Sequence, residues 1–348
     1  MELLKRLSEA AGVPGREERV REIIEAELKG VVDELETDAM GNLHAVKRAK
    51  EDGAPRAMLA AHMDEIGFLV KFIDDKGFLR LQQLGGFDPR NLFARQVTVH
   101  ASLSGEELVG VMNPSGKPIH ISTQEERSKV PQLSDFFVDL GLGADDVKAK
   151  VRVGDMVTLR QEFHDLGKVV TGKALDDRAG CWVAVQVLKR LQDPAFEVHA
   201  VFTTQEEVGL RGALTSAFKV EPHVGIALDT TLAVDIPGNQ DHMRVTELGK
   251  GVGIKVMDSA SITTRWLLDE FIALAEKRGI EHQLEVLPLG GTDAGAIQRS
   301  RTGVPSITLS TPSRYVHTVT EMVAKSDLEA EVALLTAFLE EGTARLAS

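Results

Sequence analysis

A chain of 348 residues with 43 % apolar and 27 % charged side chains has ordinary globular composition, enough for one large domain or two. Its formal net charge of −13 argues against nucleic acid and anionic membrane surfaces as partners, since both call for clustered lysine and arginine. The single cysteine, Cys181, excludes an internal disulfide, and no signal-peptide pattern or bilayer-length apolar run is found, so a soluble, cytoplasmic protein is expected.

Residues 2–11 and 16–28 read as helices. In the second, Val20, Ile23, Ile24 and Leu28 recur at helical spacing, and Gly30 stands where a helix would stop. From Val31 to Val46 the pattern suggests two strands joined at Met40-Gly41-Asn42. AMLAAHMDE, residues 57–65, is a buried strand that opens onto polar groups. Between 67 and 163 the segments become short, alternating and valine-rich: FLVKFIDDKGFLRLQQLGG, QVTVHASL, ELVGVMN and VRVGDMVTL, separated by Gly, Asp and Asn turns. That is the pattern of a small β-barrel or sandwich, interrupted by one helical stretch around Leu133–Leu140.

From Val169 onward, helices alternate with continuous apolar strands. Ala179–Leu191 is a helix, EVHAVFTTQ and VGIALDT are strands, and 264–278 is a helix. HQLEVLP, VPSITLS and a C-terminal helix from Ser326 follow. The alternation predicts an α/β fold, a mixed central sheet flanked by helices. Two tandem domains are one reading. An insertion is preferred, because His62 at the end of an early strand has no chemical partner until Asp176. It makes residues 1–66 plus 164–348 the catalytic α/β domain and 67–163 an inserted all-β domain.

Four stretches put metal-type ligands at or just beyond strand ends: AAHMDE (His62, Asp64), TGKALDDRAG (Asp176, Asp177), FTTQEEVG (Glu206, Glu207) and GIALDTT (Asp229). A fifth, PSRYVHTVTE, supplies His317. Ligand sites in open α/β sheets gather outside the carboxyl ends of strands, so the five can converge. Two imidazoles with at least four carboxylates suit zinc, cobalt or manganese, and a pair of such ions needs one bridging carboxylate.

Each piece alone has a plainer reading. Adjacent glutamates are solvated surface in most proteins, two aspartates before a helix serve as a cap, and single histidines pack in cores. Glu206 and Glu207 reach one site only where the chain turns, because neighbours on a strand point to opposite faces. In that case one binds metal while the other serves as a base. The remaining histidines read as structural, with His120 the one most open to a functional role.

In this order and context the stretches resemble the tetrahedral-type aminopeptidases, co-catalytic metallopeptidases that include glutamyl and deblocking enzymes, some once described as endoglucanases. The resemblance covers essentially the whole chain, including HMDEIGFLV, KALDDRAG, TTQEEVGLRGA, GGTDAGAIQ and YVHTVTE. It implies a zinc-exopeptidase-like fold with two divalent ions per chain, zinc or cobalt foremost. His62 and Asp229 would complete one ion, Glu207 and His317 the other, with Asp176 bridging. Glu206 would be the general base for a metal-activated water, Asp64 would orient His62, and Asp293 would help position substrate. It also implies a cis Asp176–Asp177 peptide, peptide substrates, and self-association through the inserted domain from dimers up to a dodecamer. The competing readings are an amidohydrolase acting on acylated amino acids, a glycoside hydrolase built on a carboxylate pair, and a non-enzymatic scaffold stabilised by metal.

Overall fold

Strands whose residues are apolar on both faces must lie inside a sheet covered on both sides. Arg56–His62 and Val224–Leu232 are such strands, buried along almost their whole length. In the computed structural model, which describes residues 1–346, they are neighbours at the centre of an 11-stranded mixed sheet. The order along it is Glu34–Thr37, Leu43–Lys47, Glu197–Thr203, Arg56–His62, Val224–Leu232, Ser306–Arg314, Glu321–Ala324, Val169–Gly172 and His164–Asp165. Val252–Met257 branches from Ser306–Arg314 and carries His282–Val286 beside it. Four strands at the centre, Glu197–Thr203, Arg56–His62, Val224–Leu232 and Ser306–Arg314, run parallel. Their carboxyl ends therefore meet along one edge.

Leu175–Arg190 is a helix buried nearly all round, set between the sheet and the C-terminal helix Lys325–Glu341. Phe338 lies in the middle of a ring stack with Phe196 and Phe271, at centroid separations of 5.4 and 4.4 Å. The N-terminal helices Glu2–Glu9 and Glu18–Leu28 close the same core through Leu4, Leu7, Val20, Ile24 and Leu28.

The chain between His62 and His164 builds a second core. Six antiparallel strands close into a barrel in the order Gly67–Ile73, Leu79–Leu84, Phe136–Asp139, Glu106–Pro114, Arg95–Ala101 and Met156–Leu159. Phe68, Val70, Val97, Val99, Met112 and Val138 fill its interior.

One expectation is corrected here. The stretch Leu133–Leu140 is not a helix: after a single 3-10 turn, Phe136–Asp139 is a barrel strand. Leu133, Phe136, Phe137 and Leu140 fall at helical spacing, yet burial alternates, with Phe136 and Val138 inside. Pairing with Leu79–Leu84 and Glu106–Pro114 supplies the backbone partners that a lone helical turn would lack. The helices of this region lie at Gln124–Ser128 and Ala144–Lys150.

Candidate metal centre

The shared edge of the parallel strands collects the charged residues. His62 ends its strand, and Asp229 stands three residues before the end of its own. Glu206 and Glu207 follow Glu197–Thr203, and His317 follows Ser306–Arg314. Asp176 arrives from the other direction, in the first turn of Leu175–Arg190, where Asp176 and Asp177 leave helical geometry and their peptide bond is cis.

Asp176 is central. Its Oδ1 lies 3.3 Å from His62 Nε2 and its Oδ2 lies 3.4 Å from His317 Nε2. Glu207 Oε1 is 3.3 Å from the same His317 nitrogen. The side chains fall into two groups, His62 with Asp176 and Asp229, and Asp176 with Glu207 and His317. Within each, the ligand atoms lie within 4.8 Å of one another.

The adjacent glutamates converge because the chain turns at Gln205, whose φ of 57° is left-handed and whose N–H donates to Glu17. One carboxylate then holds both. Asp64 Oδ1 accepts the N–H of Glu206 and Oδ2 that of Glu207, each at 3.0 Å. His62 is oriented by the main chain of Asp64: its Nδ1 lies 3.0 Å from the Asp64 carbonyl oxygen and 3.7 Å from Oδ1. Donation from Nδ1 leaves Nε2 free to face Asp176.

Burial penalises every charge here. It pushes the Glu206, Glu207, Asp177 and Asp229 carboxyls above their usual range, helped by repulsion from neighbouring carboxylates of the cluster. Burial also works against Asp176, yet His317 and His62 hold its pKa well below the ordinary value. His317 is pushed up to about 12: burial opposes its charge, but Asp176 and Glu207 prevail. His62 likewise stays protonated well above its normal pKa, against burial, beside Glu206 and Asp176. Among the described residues, Asp176 Oδ1 is buried without a hydrogen bond. An acidic, desolvated cluster that draws protons onto both histidines lacks positive charge, and its oxygen and imidazole donors fit divalent cations.

A cavity of about 590 Å³ opens over this cluster. Glu206 lines it, as do Leu232, Lys255, Leu287, Leu289 and the Gly290-Gly291 turn. From the barrel side, Gly85 passes close by. Its φ is +83°, and a Cβ there would lie 2.8 Å from Glu207 Oε2. Asp293 is buried beside the cluster but in neither ligand group. Thr203 Oγ1 donates to its Oδ2 at 2.6 Å, its Oδ1 has no partner among the described residues, and burial pushes its pKa up to about 6. His120 is exposed in the 3-10 turn Ile119–Ile121 and belongs to neither group.

Sequence reasoning passed over two groups. Glu321 lies in YVHTVTE without an assigned role, yet it is buried and its carboxylate touches the backbone of both Asp176 and His317. Its only local signal was an acidic residue in an otherwise apolar strand. The buried pair Lys255–Glu285, 2.5 Å apart beneath the cavity, sits on strands whose register is invisible until they pair.

The M42 glutamyl aminopeptidase family profile matches residues 41–334. The lysyl aminopeptidase of Pyrococcus furiosus is 33 % identical over 347 residues, covering 98 % of this chain and 96 % of that protein. Among solved structures, an aminopeptidase from the archaeon Desulfurococcus kamchatkensis superposes with a TM-score of 0.93 at 36 % identity, covering 100 % of this chain and 97 % of that one. The TET1 peptidase of Pyrococcus horikoshii, described as assembling into a tetrahedron or a large octahedral shell, gives a TM-score of 0.86 at 35 % identity, with 98 % and 99 % covered.

Proposed function

Because the chain belongs to the M42 glutamyl aminopeptidase family, we propose that it is a dinuclear metal-dependent aminopeptidase that removes N-terminal residues from peptides. The observation that carries the reading is Asp176, which turns one carboxylate oxygen toward each histidine at the junction of two three-residue ligand groups. His62, Asp176 and Asp229 would hold one divalent ion, and Asp176, Glu207 and His317 the second, with zinc and cobalt both suited to these donors. Bound there, the ions supply Lewis acidity toward a peptide carbonyl and lower the pKa of water.

The chain's own residues do the rest. Glu206 lines the cavity, belongs to neither ligand group and has a raised proton affinity. It takes the proton from the attacking water and returns it to the leaving amine. Asp64 fixes Glu206 and Glu207 relative to each other, and Asp293, next to the cavity-lining Thr292, would help position substrate. Neither the glycoside-hydrolase nor the amidohydrolase reading gains support from the family, and a glycosidase would leave both histidines without work.

Residues 67–163 form the inserted domain and carry self-association, from a dimer toward a dodecamer. Phe72, Val109, Val111, Ile119 and Ile121 are exposed apolar side chains on this segment, which a partner copy would cover. The test of exopeptidase action uses matched peptides with a free and an acetylated N-terminus. Stepwise release from the free end alone is expected; equal cleavage of the two, or internal cuts, would refute it.

A further inference from the structure

Several main-chain amides at the site are held by buried carboxylates that are not themselves ligands. Asp177 accepts the N–H of His62 at 3.2 Å, and Asp64 accepts those of Glu206 and Glu207. Glu321 does something different, because it spans two distant parts of the chain. Its Oε2 accepts the N–H of Asp176 at 3.0 Å and its Oε1 the N–H of His317 at 2.9 Å. Asp176 is 145 residues away in sequence.

The two amides need this partner. His317 sits at a left-handed φ of 61°, in a turn between Ser306–Arg314 and Glu321–Ala324, where no strand partner takes its N–H. Asp176 lies in the non-helical first turn of its helix, where the first N–H groups have no intrahelical acceptor. Glu321 is 2 % exposed, so its carboxylate would be costly to bury without these two donors.

We infer that Glu321 is a positioning residue that sets the spacing between Asp176 and His317, and thereby the affinity of the cation site they share with Glu207. The inference rests on the two-ion reading above. His62 and Asp229 do not touch Glu321; their amides are held by Asp177 and, for Asp229, by strand pairing. Asp176 belongs to both sites, but Glu321 holds two of the three ligands at the Glu207–His317 site and one of three at the other, so loss of its carboxylate acts more strongly on the first. A general loosening of the fold would weaken both alike.

Cobalt(II) titration of the metal-free protein tests this, following visible absorption and counting bound ions by elemental analysis, without reference to activity. The wild type takes up two ions, and H317A identifies which step belongs to the Glu207–His317 site. Glu321→Gln keeps the shape of the side chain but offers an amide N–H to one of the two amides. It should weaken that same step by about 10- to 100-fold, the range for groups that orient metal ligands, and weaken the other step clearly less. Glu321→Asp, with two acceptor oxygens on a shorter stem, should fall between; it carries the comparison if metal-free E321Q does not melt close to wild type. A wild type that takes up fewer than two ions overturns the two-ion reading and this inference with it. Two ions in the wild type, with both steps unchanged or equally weakened in the variants, overturns the role of Glu321 alone.

Discussion

Asp64 and Glu206 are joined by a 3.0 Å hydrogen bond from the Glu206 N–H to the Asp64 carboxylate, whose other oxygen takes the N–H of Glu207. Two like charges adjacent in sequence are thus fixed at one turn with different outlooks. Glu207 turns toward His317, and Glu206 lines the cavity. In the proposed function that difference becomes a division of labour, Glu207 as ligand and Glu206 as base.

Glu206→Gln tests the base. The amide preserves size and can still accept a hydrogen bond but cannot take a proton. Turnover should fall by about 100- to 10,000-fold, the contribution of a positioned general base, while bound metal stays at the wild-type amount. A variant that turns over at the wild-type rate would remove Glu206 from the role.

Asp64→Asn tests the clamp. Asparagine can accept from only one of the two N–H groups and sets its own N–H₂ against the other. The 205–207 turn should loosen, with kcat/KM falling about 10- to 100-fold while Glu206 and Glu207 are both present. The measurement is steady-state kinetics beside metal content, and a loss confined to melting temperature would reduce Asp64 to a structural role.

Lys255 and Glu285 form a fully buried ion pair, with Thr231 donating to the same Glu285 oxygen. Removing one partner leaves a buried charge, so Lys255→Met or Glu285→Gln alone should destabilise the fold by about 3–5 kcal/mol. The double variant should recover much of that loss. Urea denaturation of all four proteins gives the coupling, and strictly additive single losses would contradict it.

Glu331 provides a pH dependence at a distance from the ligand atoms' own hydrogen bonds. Burial pushes its carboxyl up to about 8, and Thr311 Oγ1 donates to it. The folded state therefore keeps a proton that the unfolded chain loses near 4.5, so stability from this group is full below that pH and declines up to about 8. Glu331→Gln removes the decline. In metal-free protein, its stability relative to wild type should rise from about pH 5 to about pH 9, by at most ~1.4 kcal/mol per pH unit. An unchanged difference across that range would show that Glu331 does not titrate there.

Much of the architecture was legible because strand and helix periods differ so clearly along the chain. The continuous apolar runs around Leu59 and Ile226 foretold buried strands of a mixed sheet, and the alternating segments after Gly67 a small barrel or sandwich, which the structure resolves as a closed barrel. Leu133–Leu140 misled because apolar residues at helical spacing outweighed a short alternation whose strand partners lie far off along the chain. In the candidate site, the residues with strand-end context could be found: His62, Asp176, Glu206, Glu207, Asp229 and His317. Glu321 could not, since its task is to accept two main-chain N–H groups that only the folded chain brings together.

The proposed chemistry depends above all on Asp176 joining two cation sites that serve peptide hydrolysis. Metal content paired with turnover of a panel of aminoacyl chromogenic amides probes that dependence, before chelation, after it, and on adding back zinc or cobalt. Close to two ions per chain are expected, with activity lost and regained in step with the second ion. Activity indifferent to thorough chelation, or a protein that binds no divalent ion, would contradict the two-ion centre.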